Sequence, residues 1–130
     1  MNRVISIGLF ISFAILCEYQ VSALCHALGP TWGTFQQRTE LDDILPEVCR
    51  QLSGIYPPES SASRCIKSTI TGYRRYDFYW KNTMTEEREL DYNECIEFIR
   101  SDIRFCPRGA SNFRSPDWYW ISDPADGDCD

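Results

Sequence analysis

The cysteines constrain the fold of this chain more than any other residues. Seven cysteines occur in 130 residues, and Cys17 lies in an apolar N-terminal segment that is typical of a removable leader. The other six are an even set in a short chain, which indicates a disulfide framework: Cys25, Cys49, Cys65, Cys95, Cys106 and Cys129. Zinc-type spacing is absent from this set, and the chain has 1 histidine. We predict three disulfides, no metal and no cofactor.

Residues 1–23 have the arrangement of a secretory signal peptide. A basic start precedes an apolar run from Val4 to Cys17, and small residues stand before a cleavage point after Ala23. The run is shorter than the roughly 20 residues needed to span a membrane, and no second long apolar stretch follows. We therefore predict a secreted, extracellular protein with a single cysteine-rich domain at 24–130. A retained signal anchor is the alternative.

The charge of the chain limits its partners. The net charge is −6, and an acidic surface disfavours nucleic acid and anionic membranes. We therefore expect no nucleic acid partner and no membrane span. A protein partner, including a basic one, stays open.

Two segments have helical periodicity. In "ELDDILPEVCRQL" the apolar residues recur at helical spacing up to Leu52. Pro46 must lie near the first turn of this helix, because deeper in it would break the helix. In "TMTEERELDYNECIEFIRSDIRFC" Thr83 and Glu86 match a capping box, which predicts that a second helix starts there and runs to Cys106.

The remaining segments predict strands, loops and a tail. Strands are predicted at Trp32–Arg38, across 65–82 with a turn at Thr71-Gly72, and at the closing segment "DWYWIS". "YPPESSASR" and "PRGASNFRSP" are predicted loops, and "DPADGDCD" an acidic tail. The order of elements predicts an α+β fold, with two helices packed on one face of an antiparallel sheet. The split β-α-β-β-α-β arrangement is the leading topology.

The predicted second helix restricts the pairing of the cysteines. Cys95 and Cys106 would lie about 16 Å apart within one helix, whereas a disulfide needs Cα atoms within about 7 Å. These two cysteines should therefore have different partners. Pairing Cys25 with Cys129 would join the ends of the domain, and pairing Cys49 with Cys65 would join the first helix to the next strand. If both of these disulfides formed, Cys95 and Cys106 would be the only cysteines left to pair. At least one of the two pairings is therefore wrong unless the helix ends early.

Catalytic motifs are scarce, and we expect a protein that is not an enzyme. His26 is the only histidine, which excludes a two-histidine ribonuclease mechanism, and its place beside Cys25 suggests an exposed terminal residue. The chain has no G-x-S-x-G motif. Carboxylates are abundant, so a small hydrolase using acidic residues is an alternative, although acidic runs on helices are usually solvated faces.

The stretch "YRRYDFYW" suggests a contact surface. In a strand, Tyr76, Phe78 and Trp80 would share the core face. The opposite face would alternate rings and charges, which suits an open sheet face and also protein recognition. The candidate partner-binding residues are Tyr73, Arg75, Tyr79 and Trp118. An ordinary solvated sheet is the alternative.

Several segments together resemble a family of secreted proteins. They are Thr34-Phe35, "LPEVCRQL" at 45–52, "RCIKSTITG" at 64–72, "DYNECIEFIRSDIRF" at 91–105 and "DGDCD" at the end. In this order they are similar to the small cysteine-rich effectors of plant-pathogenic fungi, of the necrosis-inducing, killer-toxin-like type. Those proteins share a leader, a cysteine in the first helix, one in the following strand, a second amphipathic helix and a cysteine near the C-terminus.

This resemblance implies a non-enzymatic effector or toxin-like protein that binds a host protein. It would act in the host apoplast or inside the host cell, and would modulate or trigger host immunity. An animal venom component or an extracellular or shell matrix protein is the alternative from another class. The carboxylate hydrolase is the third.

Overall fold

The computed structural model describes residues 22–70, 73–114 and 117–130. The strands are β1 (Ser22–Cys25), β2 (Gly54–Tyr56), β3 (Ser61–Lys67), β4 (Arg74–Asn82), β5 (Arg88–Leu90), β6 (Ala110–Arg114) and β7 (Trp118–Asp126). The helices are α1 (Phe35–Leu52) and α2 (Tyr92–Phe105). Most of the predicted leader and the predicted turn at Thr71-Gly72 lie outside the described residues.

The α+β class with an antiparallel sheet is confirmed. Five strands form one sheet in the order β1-β6-β7-β4-β3, and every neighbouring pair is antiparallel. A second, two-stranded sheet pairs β2 with β5. Side chains of both helices join one core cluster with the inner face of β4 and β7. The two helices therefore cover one face of the five-stranded sheet and leave its other face open.

The path of the chain differs from the split arrangement at both ends. The first strand is β1 and not the predicted Trp32–Arg38. The predicted cleavage after Ala23 would shorten β1. At Thr34 the side chain accepts from the Gln37 N–H, and the Gln37 side chain accepts from the Thr34 N–H, so this capping box starts α1 instead. Pro46 therefore lies in the interior of α1, and the prediction that it lies near the first turn is wrong. The predicted loop after α2 contains β6, which forms a hairpin with β7 in place of a single closing strand.

The second helix starts later than predicted. The carboxylate of Asp91 accepts hydrogen bonds from the Asn93 and Glu94 N–H groups at 3.0 and 3.2 Å, and α2 begins at the next residue. The predicted capping box at Thr83 and Glu86 is therefore wrong. The residues between Glu86 and Asp91 include β5 and not a helical turn. Pairing with β2 satisfies the backbone hydrogen-bonding groups of β5, so these residues do not need a helix to do so.

Three disulfides are present, as predicted, but neither suggested pairing occurs. The bonds join Cys25 to Cys106, Cys49 to Cys95 and Cys65 to Cys129, with Cα–Cα distances of 5.1, 5.7 and 5.8 Å. The inference that Cys95 and Cys106 have different partners is correct. The pairings of Cys25 with Cys129 and of Cys49 with Cys65 are wrong. Cys49 is buried on α1, where it bonds to Cys95 of α2, whereas Cys65 is exposed on the edge strand, so the two cannot meet.

Aromatic stacking dominates the core between helices and sheet. Trp80 and Trp120 stack with ring centroids 4.9 Å apart, and Phe98 of α2 stacks on Trp120 at 4.7 Å. Burying large apolar side chains of this kind contributes about 1.5–3 kcal/mol each. Within the described ranges, no helix is long and apolar enough to cross a membrane.

A buried carboxylate ties α2 to the sheet. Oδ2 of Asp102 accepts hydrogen bonds from Asn112 Nδ2 at 2.9 Å, Trp120 Nε1 at 3.1 Å and Ser122 Oγ at 2.7 Å. Burial raises the pKa of Asp102 from its ordinary 3.8 to about 6, although the three donors act in the opposite direction. The core therefore contains a titratable group whose charged form is unfavourable to bury.

The open face of the sheet as candidate functional site

Alternation along the strands assigns each side chain to one face of the sheet. In β4 it buries Tyr76, Phe78 and Trp80 and leaves their neighbours partly exposed, as the sequence predicts. The cross-strand register extends this second face over β7 and β6. We call it the open face and define it by Arg75, Asp77, Tyr79, Lys81, Ser111, Phe113, Tyr119, Ile121 and Asp123.

Two of the four predicted contact residues lie on the open face, and a third is exposed beside it. Tyr73 is 69% exposed just before β4, and Arg75 and Tyr79 are partly exposed on the open face. Trp118 does not belong to the set, because only 2% of it is exposed and its ring packs edge-to-face against Tyr56 at 5.4 Å. The prediction that Trp118 is an exposed contact residue is wrong, and Tyr119 occupies the open side instead.

An apolar strip crosses the centre of the open face. The rings of Tyr79 and Tyr119 meet edge-to-face with centroids 6.3 Å apart. Ile121 pairs with Tyr79 across the strands, and Phe113 pairs with Tyr119. These four side chains come from three adjacent strands, so the sheet holds them in fixed positions relative to one another.

Arg75 has a structural role beside this strip. Its Nε lies 3.0 and 3.2 Å from the two carboxylate oxygens of Asp77, and one terminal nitrogen donates to the carbonyls of Asp126 and Asp128 at 2.7 and 3.3 Å. The hydrogen bond to Asp77 raises the pKa of Arg75. Lys67 pairs with the Asp128 side chain. Arg75 therefore fastens the C-terminal tail to β4, and replacing it would disturb the tail as well as any contact.

A cavity of about 390 Å³ opens beside the strip, between β3, β4 and β7. Its walls include Ser63, Cys65, Asp77, Tyr79, Ile121 and Asp123. Asp77 and Asp123 are direct cross-strand neighbours. Burial raises the pKa of Asp123; the charge of Asp77 acts in the same direction, and His26 opposes it. Arg64 also lines the cavity, and Arg75 pairs with Asp77, so the cavity combines an apolar side with carboxylates that neighbouring arginines offset.

His26 closes one side of this region. Its Nδ1 lies 3.2 Å from Oδ1 of Asp123, and its Nε2 lies 2.9 Å from Oγ of Ser111. The ring is only partly exposed, so the expectation of an exposed terminal residue is wrong. The sequence hides this cluster, because His26 is 97 positions from Asp123 and 85 from Ser111. Only the topology of the sheet brings the three together.

The helix layer offers a second concave surface. A groove of about 780 Å³ lies between α1 and α2, with Arg38, Asp42, Arg100 and Arg104 among its lining residues. Arg100 and Asp42 approach to 4.0 Å, so opposite charges already face each other there. Phe105, at one end of this groove, is 68% exposed.

The described residues contain no group of three or more His, Cys, Asp or Glu side chains arranged to hold a metal ion. Comparison with known protein families gives no match, and no characterised protein matches the chain in sequence. The resemblance to fungal effectors therefore rests on the outline of the sequence alone.

Proposed function

We propose that this chain is a secreted, disulfide-stabilised protein that acts by binding another protein through its open face, a function that requires no catalysis. The observation that carries the proposal is the apolar strip of Tyr79, Phe113, Tyr119 and Ile121 on a sheet face that the helices leave uncovered. Aromatic side chains held rigidly on a sheet lose little conformational entropy when they are buried against a partner. They are also enriched among the residues that dominate binding energy.

The surroundings of the strip favour a protein partner over a nucleic acid or an anionic membrane. The chain has a net charge of −6, which disfavours phosphate backbones and anionic headgroups. The open face itself carries Asp77 and Asp123 together with Arg75 and Lys81. A protein partner with apolar side chains and charges of both signs complements this face.

The biological setting of the proposal is that of an effector acting on a host. Three disulfides are compatible with an extracellular protein. The resemblance noted above adds the host, where the protein would modulate or trigger immunity from the apoplast or inside the cell. A venom component or matrix protein that binds through the same face is the alternative setting.

Single aromatic truncations test the contact face. Wild-type protein, Tyr79→Ala and Tyr119→Ala would be immobilised and exposed to extracellular fluid from host tissue, with recovered proteins quantified by mass spectrometry. Phe105→Ala is the matched control, because it removes an exposed ring from the helix layer. We expect one or a few proteins to be retained by wild type and the control and to fall by about tenfold with either tyrosine variant.

The same experiment can overturn the proposal. If folded Tyr79→Ala and Tyr119→Ala recover the same proteins as wild type, the open face is not the contact surface. If only Phe105→Ala loses them, the contact surface is the groove between the helices. A transcript confined to an animal gland or shell-forming tissue would favour the venom or matrix setting.

A further inference from the structure

We propose that Ser111, His26 and Asp123 form an acyl-transfer site in which Ser111 is the nucleophile. The inference goes beyond the proposed function, which requires no reaction, and the two can fail separately. The order of contacts is Ser111 Oγ to His26 Nε2 at 2.9 Å and His26 Nδ1 to Asp123 Oδ1 at 3.2 Å. A hydroxyl bonded to one ring nitrogen and a carboxylate bonded to the other is the arrangement that activates serine in unrelated hydrolases.

The two contacts of the ring select a useful tautomer. A carboxylate at Nδ1 accepts a hydrogen bond from an N–H at that nitrogen, and this tautomer leaves the lone pair of Nε2 directed at Ser111. Nε2 can then accept the hydroxyl proton of Ser111. Asp123 acts on the reaction through its contact with the His26 ring and is therefore a positioning residue. Neighbouring strands supply both partners, since Ser111 lies on β6 and Asp123 on β7.

The backbone fixes the histidine although it lies close to the predicted new N-terminus. The His26 N–H donates to the Gly109 carbonyl at 2.9 Å, and the preceding residue is held by the Cys25–Cys106 disulfide. Gly109 has a φ of 87°, and a Cβ there would overlap the backbone oxygen of Ser122. The turn that receives His26 is thus closely packed against β7.

The reaction proceeds in two balanced steps. Ser111 Oγ attacks the carbonyl carbon of an ester while His26 takes its proton; the carbon–oxygen bond to the alcohol breaks, and the alcohol leaves with that proton. Water then attacks the acyl-serine, His26 again accepts and returns the proton, and the carboxylic acid is released. No oxidant, reductant or metal enters either step.

The neighbouring cavity indicates the class of substrate. Ile121, on its wall, is the cross-strand partner of Ser111, and Tyr79 adds a second apolar wall. Arg64 lines the cavity together with Asp77 and Asp123, and Arg75 pairs with Asp77, so acidic and basic groups offset each other there. A volume of about 390 Å³ suits a small acyl group. Neutral esters with short acyl chains are therefore the expected substrates.

A fluorophosphonate probe tests the nucleophile directly, because serine displaces its fluoride and keeps a phosphonyl adduct. Folded, disulfide-intact protein would be labelled, digested and mapped by mass spectrometry. We expect the adduct on Ser111, none in Ser111→Ala, and labelling about 100-fold slower in His26→Gln. Ser101→Ala removes an exposed hydroxyl on α2, outside this cavity, and as the control it should label at the wild-type rate.

Rescue by a conservative variant separates positioning from a merely structural role for Asp123. The carboxylates that interact electrostatically with the ring are Asp123 on β7 and Asp102 on α2. Asp123→Asn keeps the size of the side chain but removes the charge beside Nδ1, so the folded variant should label more slowly than wild type. Asp123→Glu restores a carboxylate and should recover part of the labelling rate, whereas equal rates in all three proteins would overturn the positioning role.

The mapped wild-type adduct decides the proposal even if a variant does not fold. An adduct on Ser111 that disappears when the protein is reduced and unfolded supports the site, as does matching hydrolysis of p-nitrophenyl acetate. Absence of an adduct, or an adduct on another residue, overturns it. Loss of labelling in Ser111→Ala with unchanged retention of host proteins would show that the proposed binding function is independent of this site.

Discussion

Asp102→Asn should change the pH dependence of stability in a direction that the fold determines. Oδ2 of Asp102 accepts three hydrogen bonds in the core, and burial raises the pKa of the carboxyl from 3.8 to about 6. Because the folded pKa is above the unfolded one, the folded state binds the proton more tightly. The stability from protonation is fully present below pH 3.8 and is lost as the pH rises through about 6.

The magnitude follows from the two values. Each tenfold change in proton affinity corresponds to about 1.4 kcal/mol, so the difference between 3.8 and about 6 amounts to about 3 kcal/mol. The asparagine variant keeps an acceptor oxygen for the same donors but does not titrate. The stability of wild type minus that of the variant should therefore be about 3 kcal/mol greater near pH 3.5 than near pH 7.5.

Urea denaturation followed by tryptophan fluorescence measures this difference with the disulfides intact. Subtracting the free energy of unfolding of the variant from that of wild type cancels the contributions of the other titrating groups, which the two proteins share. Asp43→Asn, at an exposed position of α1, controls for the removal of one carboxylate. A difference that is constant with pH, or one that favours wild type at the higher pH, would refute the reasoning.

Three further changes probe the framework. Gly109→Ala should lower the free energy of unfolding by more than about 1 kcal/mol, measured by urea denaturation, because the position has positive φ and no room for Cβ. Replacing Cys49 and Cys95 together by alanine should cost about 2–5 kcal/mol and lower the melting temperature; an unchanged melting temperature would contradict this. Trp118→Ala should cost about 3–5 kcal/mol, since the ring is buried; unchanged stability with lost partner retention would return Trp118 to the contact face.

Local sequence patterns predicted the features that depend on neighbouring residues. The period-two alternation of β4 assigned Tyr76, Phe78 and Trp80 to the core, because successive side chains of a strand point to opposite faces. The even set of cysteines predicted three disulfides, and the length of a helix separated Cys95 from Cys106. These inferences need no knowledge of which strands pair.

Features that depend on strand register could not be predicted. "DWYWIS" carries rings at three consecutive positions, so alternation alone cannot tell which face Trp118 and Tyr119 occupy. The pairing of Asn82 with Trp118 decides it. The cluster of His26, Ser111 and Asp123 likewise exists only because β6 lies between β1 and β7 in the sheet. No short motif encodes that order.

Two overlapping signals also misled the prediction of helix starts. Thr83 and Glu86 have capping-box spacing, but Asp91 supplies the cap of α2 and the intervening residues pair with β2. Thr34 and Gln37 form the capping box that was not anticipated, since the preceding tryptophan suggested a strand. Residues that can cap a helix also occur often in loops. Whether one of them starts a helix therefore depends on whether the residues that follow pair with another strand instead.

Hydroxyl-radical footprinting of the protein with and without its bound partner tests the central claim most directly. The method reports the accessibility of individual aromatic side chains on both sides of the molecule. The account predicts that Tyr79 and Tyr119 become protected, while Phe35 and Phe105, which are 84% and 68% exposed in the helix layer, keep their reactivity. Protection of the two phenylalanines with unchanged tyrosines would contradict the assignment of the open face as the binding surface.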